Sequence, residues 1–120
     1  MYSNTPLQLS KADIVQEIIK SEIETDWSFT QVKIKAKLIN NTELNIREKT
    51  TAHSFRYAYH WQDNQGNLIK RWDNAPHHFK IKTFPHHQHI KLNGLIKIIE
   101  SDSMTISDVL LEIKQKIDKI

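Results

Sequence analysis

Thr30-Gln31-Val32-Lys33-Ile34-Lys35-Ala36-Lys37-Leu38 alternates without a fault: Val32, Ile34, Ala36 and Leu38 fall on one parity, and Gln31, Lys33, Lys35 and Lys37 on the other. Successive side chains of an extended chain point to opposite faces, so this stretch reads as a β-strand with one face in a core and one in water. Asn40-Asn41 follows, residues that tolerate the positive φ of a tight turn, and the alternation resumes through Leu44 and Ile46 with Glu43, Asn45 and Arg47 opposite. Residues 30–51 therefore read as a hairpin. In this reading Lys33, Lys35 and Lys37 face Glu43 and Glu48 as ordinary cross-strand ion pairs on a wet face, with contact to a polyanion as the alternative.

Downstream, His53 to Trp61 carries aromatic residues at Phe55, Tyr57, Tyr59 and Trp61, again at a period of two. Asp63-Asn64-Gln65-Gly66-Asn67 is a turn by composition, and Leu68 to Asp73 returns as a partner strand. If Gln62 pairs with Asn67, then Tyr57, Tyr59, Trp61, Leu68 and Trp72 share one face while Arg56, His60, Arg71 and Asp73 share the other. Arg56 is then expected opposite Asp73, an inference that a slip of one residue would undo. Pro76 and Pro85 interrupt any central strand, which puts His77-His78 and His86-His87 in loops or at strand entrances. His87 and His89 are two apart and so point the same way in an extended chain. After Asn93-Gly94, Leu95 to Ile99 is an apolar run suited to a buried strand.

The two ends read as helical. Ser10 can cap, Asp13 can reach back, and Leu9 can staple onto Ile14, so a helix is expected from Ser10 through Ile14, Val15, Ile18 and Ile19, with residues 1–8 a loose tail. Thr105-Ile106-Ser107-Asp108 is a second capping signature, opening a helix with Ile106, Val109, Leu110, Ile113 and Ile117 on one face. Lys114, Lys116 and Lys119 near its end suit the helix dipole. The expected fold is α+β: a single domain over residues 1–120, with a mostly antiparallel sheet of about five strands and both helices on one face.

The 120 residues include no cysteine, which removes disulfides, thiolate metal sites and a cysteine nucleophile and fits a reducing, cytoplasmic setting. The N-terminus lacks the basic and apolar blocks of a secretory signal, and no apolar run has the length of a membrane span, so a soluble protein is expected. Gly66 and Gly94 are the only glycines, which excludes a glycine-rich phosphate loop. Paired catalytic carboxylates are also missing, against sugar hydrolysis.

All seven histidines lie between residues 53 and 89, and that neighbourhood also holds the positive charge. Residues 53–91 carry six Lys or Arg (Arg56, Lys70, Arg71, Lys80, Lys82, Lys91) against Asp63 and Asp73, a balance of +4, while the rest of the chain sums to −1. Imidazoles near neutral titration beside cations suit an anionic ligand such as a phosphate or nucleic acid. One chemistry they allow is RNA cleavage without a metal. His87, His89 and His78 carry protons, Arg56 and Arg71 stabilise the phosphorus-centred charge, Asp73 orients a partner, and Tyr57 or Tyr59 holds a base or phosphate. A second is a divalent metal held by Asp73, His87 and His89, which would activate water. The third is no catalysis at all: a basic and aromatic sheet face that binds nucleic acid or protein.

The aromatic strand Tyr57-Ala58-Tyr59-His60-Trp61, the triplet Trp72-Asp73-Asn74 and the run Phe84-Pro85-His86-His87-Gln88-His89 together resemble the TumE-like toxins of prokaryotic toxin–antitoxin systems, over about residues 25–118. The resemblance implies a toxin restrained by a cognate antitoxin, typically a helix-turn-helix protein. It singles out Trp72-Asp73-Asn74 and His87-Gln88-His89, so Asn74 joins the substrate-binding candidates. RNA as the target comes from the residue chemistry.

Overall fold

The computed structural model describes residues 3–118. In chain order its elements are α1 (Thr5–Lys11), β1 (Val15–Thr25), β2 (Phe29–Leu38), β3 (Glu43–Thr51), β4 (Phe55–Gln62), β5 (Leu68–Asp73), β6 (His87–Leu92), β7 (Leu95–Glu100) and α2 (Ile106–Ile117). The strands form one seven-stranded sheet in sequence order, every adjacent pair antiparallel. The α+β class, the antiparallel sheet and the terminal helices agree with the sequence reading. The strand number does not: seven, where about five were expected, because β1 and β6 are strands that the sequence did not announce.

The N-terminal helix is displaced. It occupies Thr5–Lys11, within the segment read as a loose tail, with Pro6 in its first turn, and Ser10 lies inside it, donating to the Leu7 carbonyl. The stretch expected to be helical is β1 instead. Its register explains the misreading, because irregularities between Val15 and Glu17 and between Ile18 and Lys20 each insert an extra residue. Val15, Ile18 and Ser21 thereby share a face at intervals of three, imitating a helical period within a strand. The β-branched residues there also favour an extended chain.

At the other end the expected capping box is present: Thr105 accepts from the Asp108 N–H and the Asp108 carboxylate accepts from the Thr105 N–H. Ile106, Val109, Leu110 and Ile113 of α2 are buried against the sheet, each contributing about 1.5–3 kcal/mol of apolar transfer. They meet Leu9, Val32, Ile34, Leu38, Leu44, Ile46, Tyr57, Tyr59, Trp61 and Trp72 in one core. Lys119, assigned to the helix end from the sequence, lies outside the described residues.

The β4–β5 hairpin keeps the expected faces for Tyr57, Tyr59, Trp61, Trp72, Arg56, His60, Arg71 and Asp73, but not for Leu68, which the bulge turns to the face of Gln62, and not the expected register. Gln62 pairs with Leu68 rather than Asn67, and an irregularity beside it leaves Ile69 as the extra residue, packed on the core. Asp73 therefore stands opposite Ala58, and Tyr59 opposite Trp72. The expected Arg56–Asp73 pairing does not form, since the one-residue slip at Gln62 and the extra residue of the bulge together move Asp73 two places along β4. Leu95–Ile99, read as a buried strand, becomes the sheet edge β7, with Leu95 67% exposed. Its hairpin to β6 turns on Asn93 and Gly94, both at positive φ.

Glu48 corrects the reading of the first hairpin. It shares the parity of Leu44 and Ile46, so β3 turns it towards the helices, where it is 6% exposed. A buried carboxylate needs donors, and it has two: Thr5 Oγ1 at 2.6 Å, which ties α1 to the sheet, and the Tyr59 hydroxyl. Burial and then the Glu48 charge push the Tyr59 phenol above its ordinary value, so it stays a donor. Tyr59→Phe removes a hydrogen bond to a buried charged group and is expected to destabilise the fold by about 1.5–3 kcal/mol, read as a lower urea midpoint at unchanged m-value.

Candidate active site

Antiparallel partners share a face, so the sheet register assembles the uncovered side of the molecule row by row. One row runs Lys33–Arg47–Ala58–Asp73–His87, and the next Lys35–Asn45–His60–Arg71–His89. Asp73 and Arg71 of β5 thus lie directly beside His87 and His89 of β6. The 74–86 segment between those strands brings His78 back over them.

Asp73 is 4% exposed and has its donors around it. Arg71 Nε donates to Oδ2 at 2.9 Å, the Ala75 N–H donates to Oδ1 at 3.0 Å, His87 Nε2 lies 2.8 Å from Oδ1, and His89 Nε2 lies 3.4 Å from Oδ2. Burial alone would raise this carboxyl, but His89, Arg71, the Ala75 N–H and His87 outweigh it and hold Asp73 well below the usual carboxylate range. The carboxylate is therefore an anion when the fold is intact.

The three nearby imidazoles differ in what they can do. His87 is 2% exposed, with Nδ1 3.0 Å from the Pro85 carbonyl. A carbonyl only accepts, so Nδ1 carries the proton and Nε2 is the atom turned to Asp73. Both ring nitrogens are thus engaged. His89 Nε2 is buried and, despite its proximity to Asp73, makes no aligned hydrogen bond. His78 is half-buried and meets His87 edge-on at 4.7 Å between centroids. Desolvation, followed by the charges of His87 and His89, pulls His78 below the ordinary histidine value. The nitrogens of His78, His87 and His89 that could ligate all lie within 4.8 Å of one another.

Arg71 extends this network to β4 by donating from Nη1 to His60 Nδ1 at 3.2 Å. Guanidinium has no lone pair to offer, so His60 accepts there and bears its proton on the other nitrogen. Burial, then Arg71 and His89, lower the His60 value accordingly.

Next to Asp73 lies a groove of about 360 Å³ lined by Lys33, Arg47, Lys49, Arg56 and Arg71. Among the described residues, Lys33, Arg47, Lys49 and Arg56 have no carboxylate within 4 Å. The sequence reading had neutralised the β2 lysines with Glu43 and Glu48. Only Lys35 pairs with Glu43, at 3.6 Å, while Glu48 is buried on the opposite face. The groove cations from β2 and β3 were therefore missed as site residues, as was His60. The parity of Lys33, Arg47 and Lys49 placed them on the uncovered face, but nothing local shows that three more strands carry that face across to the histidines.

Of the residues singled out from the sequence, Asp73, His78, His87, His89 and Arg71 come together, and Arg56 lines the groove beside them. Tyr57 and Tyr59 do not join them. The β4 alternation turns both into the helix-covered core, where Tyr57 bonds His86 and Tyr59 bonds Glu48. Asn74 is likewise 7% exposed and structural: its amide accepts from the Tyr57 N–H and donates to the Phe55 carbonyl, extending the β4–β5 pairing past the last ladder residue.

Fold and site together define a two-layer α+β protein with helices packed on the middle of one sheet face and unpaired cations beside imidazoles and a buried carboxylate on the other. Residues 9–117 match the family model described as Toxin TumE, and the chain belongs to that toxin family. Membership identifies the toxin side of a toxin–antitoxin system and implies an antitoxin partner. No curated protein and no solved structure matches. Among the described residues, no helix is long and apolar enough to cross a membrane.

Asn74→Ala leaves the buried Tyr57 N–H and the Phe55 carbonyl unpaired. It is expected to cost about 1–3 kcal/mol, read by thermal unfolding, without changing the charge of the groove.

Proposed function

We propose that this toxin acts on RNA, cleaving phosphodiester bonds at the Asp73–histidine cluster while the groove holds the backbone. One observation carries the reading: Lys33, Arg47, Lys49 and Arg56, none ion-paired, converge on a groove that ends at Asp73, the carboxylate that His87 and His89 approach from β6. Cations left without carboxylates in a concave site attract an anion, and a volume of about 360 Å³ suits a nucleotide unit.

The chemistry follows from roles that these side chains can fill. A base takes the proton of the ribose 2′-hydroxyl, the 2′-oxygen bonds to phosphorus, the bond from phosphorus to the 5′-oxygen breaks, and an acid protonates that leaving oxygen. His89, beside Asp73, and His78, the outermost imidazole, are the proton carriers. Arg71 and Arg56 stabilise the charge on the phosphoryl oxygens. His87, with both nitrogens engaged, positions Asp73 rather than meeting the substrate. This scheme needs no metal. The antitoxin, a helix-turn-helix protein in this reading, restrains the toxin, and covering the groove would suffice.

Purified protein is expected to degrade single-stranded RNA, and His89→Ala or His78→Ala to slow it by about 10²-fold or more with the far-ultraviolet spectrum unchanged. Full cleavage and full growth arrest in both variants would refute the proton carriers. Lys33→Ala and Arg47→Ala are expected to weaken RNA binding at low salt and each to reduce the slope of log affinity on log salt by about 1. Salt-dependent binding without turnover would instead favour a non-catalytic binding face.

A further inference from the structure

We infer that His78, His87 and His89 form, with Asp73, a binding site for a zinc-class divalent metal. The inference goes beyond RNA cleavage and stands on the geometry of the four groups alone.

His87 provides the first step. Its Nδ1 proton is committed to the Pro85 carbonyl at 3.0 Å, so in the neutral ring Nε2 presents a bare lone pair. That lone pair lies 2.8 Å from Asp73 Oδ1, an ionised oxygen. Two electron-rich atoms in contact require a cation between or beside them, and a proton or a metal ion meets that requirement. His89 supplies the second step, since its Nε2 is buried, lies 3.4 Å from Asp73 Oδ2 and makes no hydrogen bond. A ring nitrogen withdrawn from water without a partner is costly, and coordination would satisfy it. His78 completes the set from the 74–86 segment, where, half-buried, it can follow an ion inward.

The spacings suit such an ion. Nitrogen and oxygen donors about 2.0–2.1 Å from a tetrahedral zinc stand about 3.4 Å apart. The observed separations of 2.8 Å and 3.4 Å to Asp73, and of no more than 4.8 Å among the three imidazoles, bracket that value. Separations at the upper end of that range must shorten by more than an ångström to close the site, and the half-buried His78 on the 74–86 segment is the group placed to move. Three imidazoles and one carboxylate select a borderline first-row metal over magnesium or calcium, which take oxygen donors. The outer support of a metal centre is also in place. The Pro85 carbonyl fixes the His87 tautomer, and Arg71 Nε with the Ala75 N–H orients Asp73.

One consequence rests on the ribonuclease reading. A metal here takes the lone pairs that His78 and His89 would use for proton transfer, so zinc is expected to inhibit cleavage, and chelation to restore it.

The test is calorimetric titration of tag-free, metal-stripped full-length protein with zinc chloride, and with magnesium chloride as the contrast. One equivalent of zinc is expected to bind at micromolar or lower Kd, with no magnesium binding at the same concentrations. His78→Ala and His89→Ala are each expected to weaken zinc at least tenfold. Cobalt(II) added to the unmodified protein should give the intense visible bands of a four-coordinate ion, a readout that does not depend on any variant folding. No zinc binding, binding unchanged in both variants, or only the weak bands of six-coordinate cobalt would overturn the site. Zinc binding with cleavage stimulated rather than inhibited would leave the site standing and overturn the metal-independent mechanism.

Discussion

Asp73 lies almost wholly out of water and stays ionised, and the uncovered half of the molecule is arranged around keeping it so. Removing one partner of a buried ion pair costs about 3–5 kcal/mol, so the groups that compensate this carboxylate cannot be placed casually. Arg71 reaches it from its own strand, the Ala75 N–H from the chain just beyond, and His87 from the neighbouring strand. Each then holds something else. Arg71 orients His60, His87 anchors to the Pro85 carbonyl, and the loop entered at Ala75 carries His78 over the cluster.

The other face solves the same problem with different means. Glu48 is buried among apolar side chains and takes its donors from Thr5 and Tyr59, neutral hydroxyls that add no charge. That arrangement locks α1 to β3 and β4. Asp73 is satisfied instead by cationic or titratable groups, which can exchange protons or give way to an ion. The sheet thus carries two buried carboxylates, one held by neutral hydroxyls that tie a helix to the sheet and one held by groups that can exchange protons. The groove lies on the second side, where Lys33, Arg47, Lys49 and Arg56 remain unpaired because Glu48 was drawn to the first. Ordinary alternation in β3, with Glu48 on one face and Arg47 and Lys49 on the other, separates the two.

Much of this was legible one strand at a time. The alternation at Val32–Leu38 and Leu44–Ile46, the aromatic strand at Phe55–Trp61 and the capping box at Thr105–Asp108 are local signals, and each matches its element. The N-terminal region misled because bulges in β1 space its apolar residues by three, and no nearest-neighbour pattern separates a bulged edge strand from a helix of that length. β6 was obscured by Pro85 immediately before it, although His87 and His89 were placed correctly on one side. Tyr57 and Tyr59 were drawn to the site by their chemistry, against the parity that buries them.

What the sequence by itself determined, in the strands without bulges, is which residues share a face: side-chain direction in a regular extended chain is set by the backbone, residue by residue, and needs no partner. It also confined the imidazoles and their excess charge to residues 53–91. What only the tertiary structure decided is which faces meet. The β4–β5 register slip and its bulge set Asp73 opposite Ala58 instead of Arg56, the unannounced strand β6 brought His87 and His89 beside it, and the register from β2 to β5 carried Lys33 and Arg47 to the groove. Register is a balance of core packing and backbone pairing summed over whole strands, and so it is fixed only when the sheet has formed.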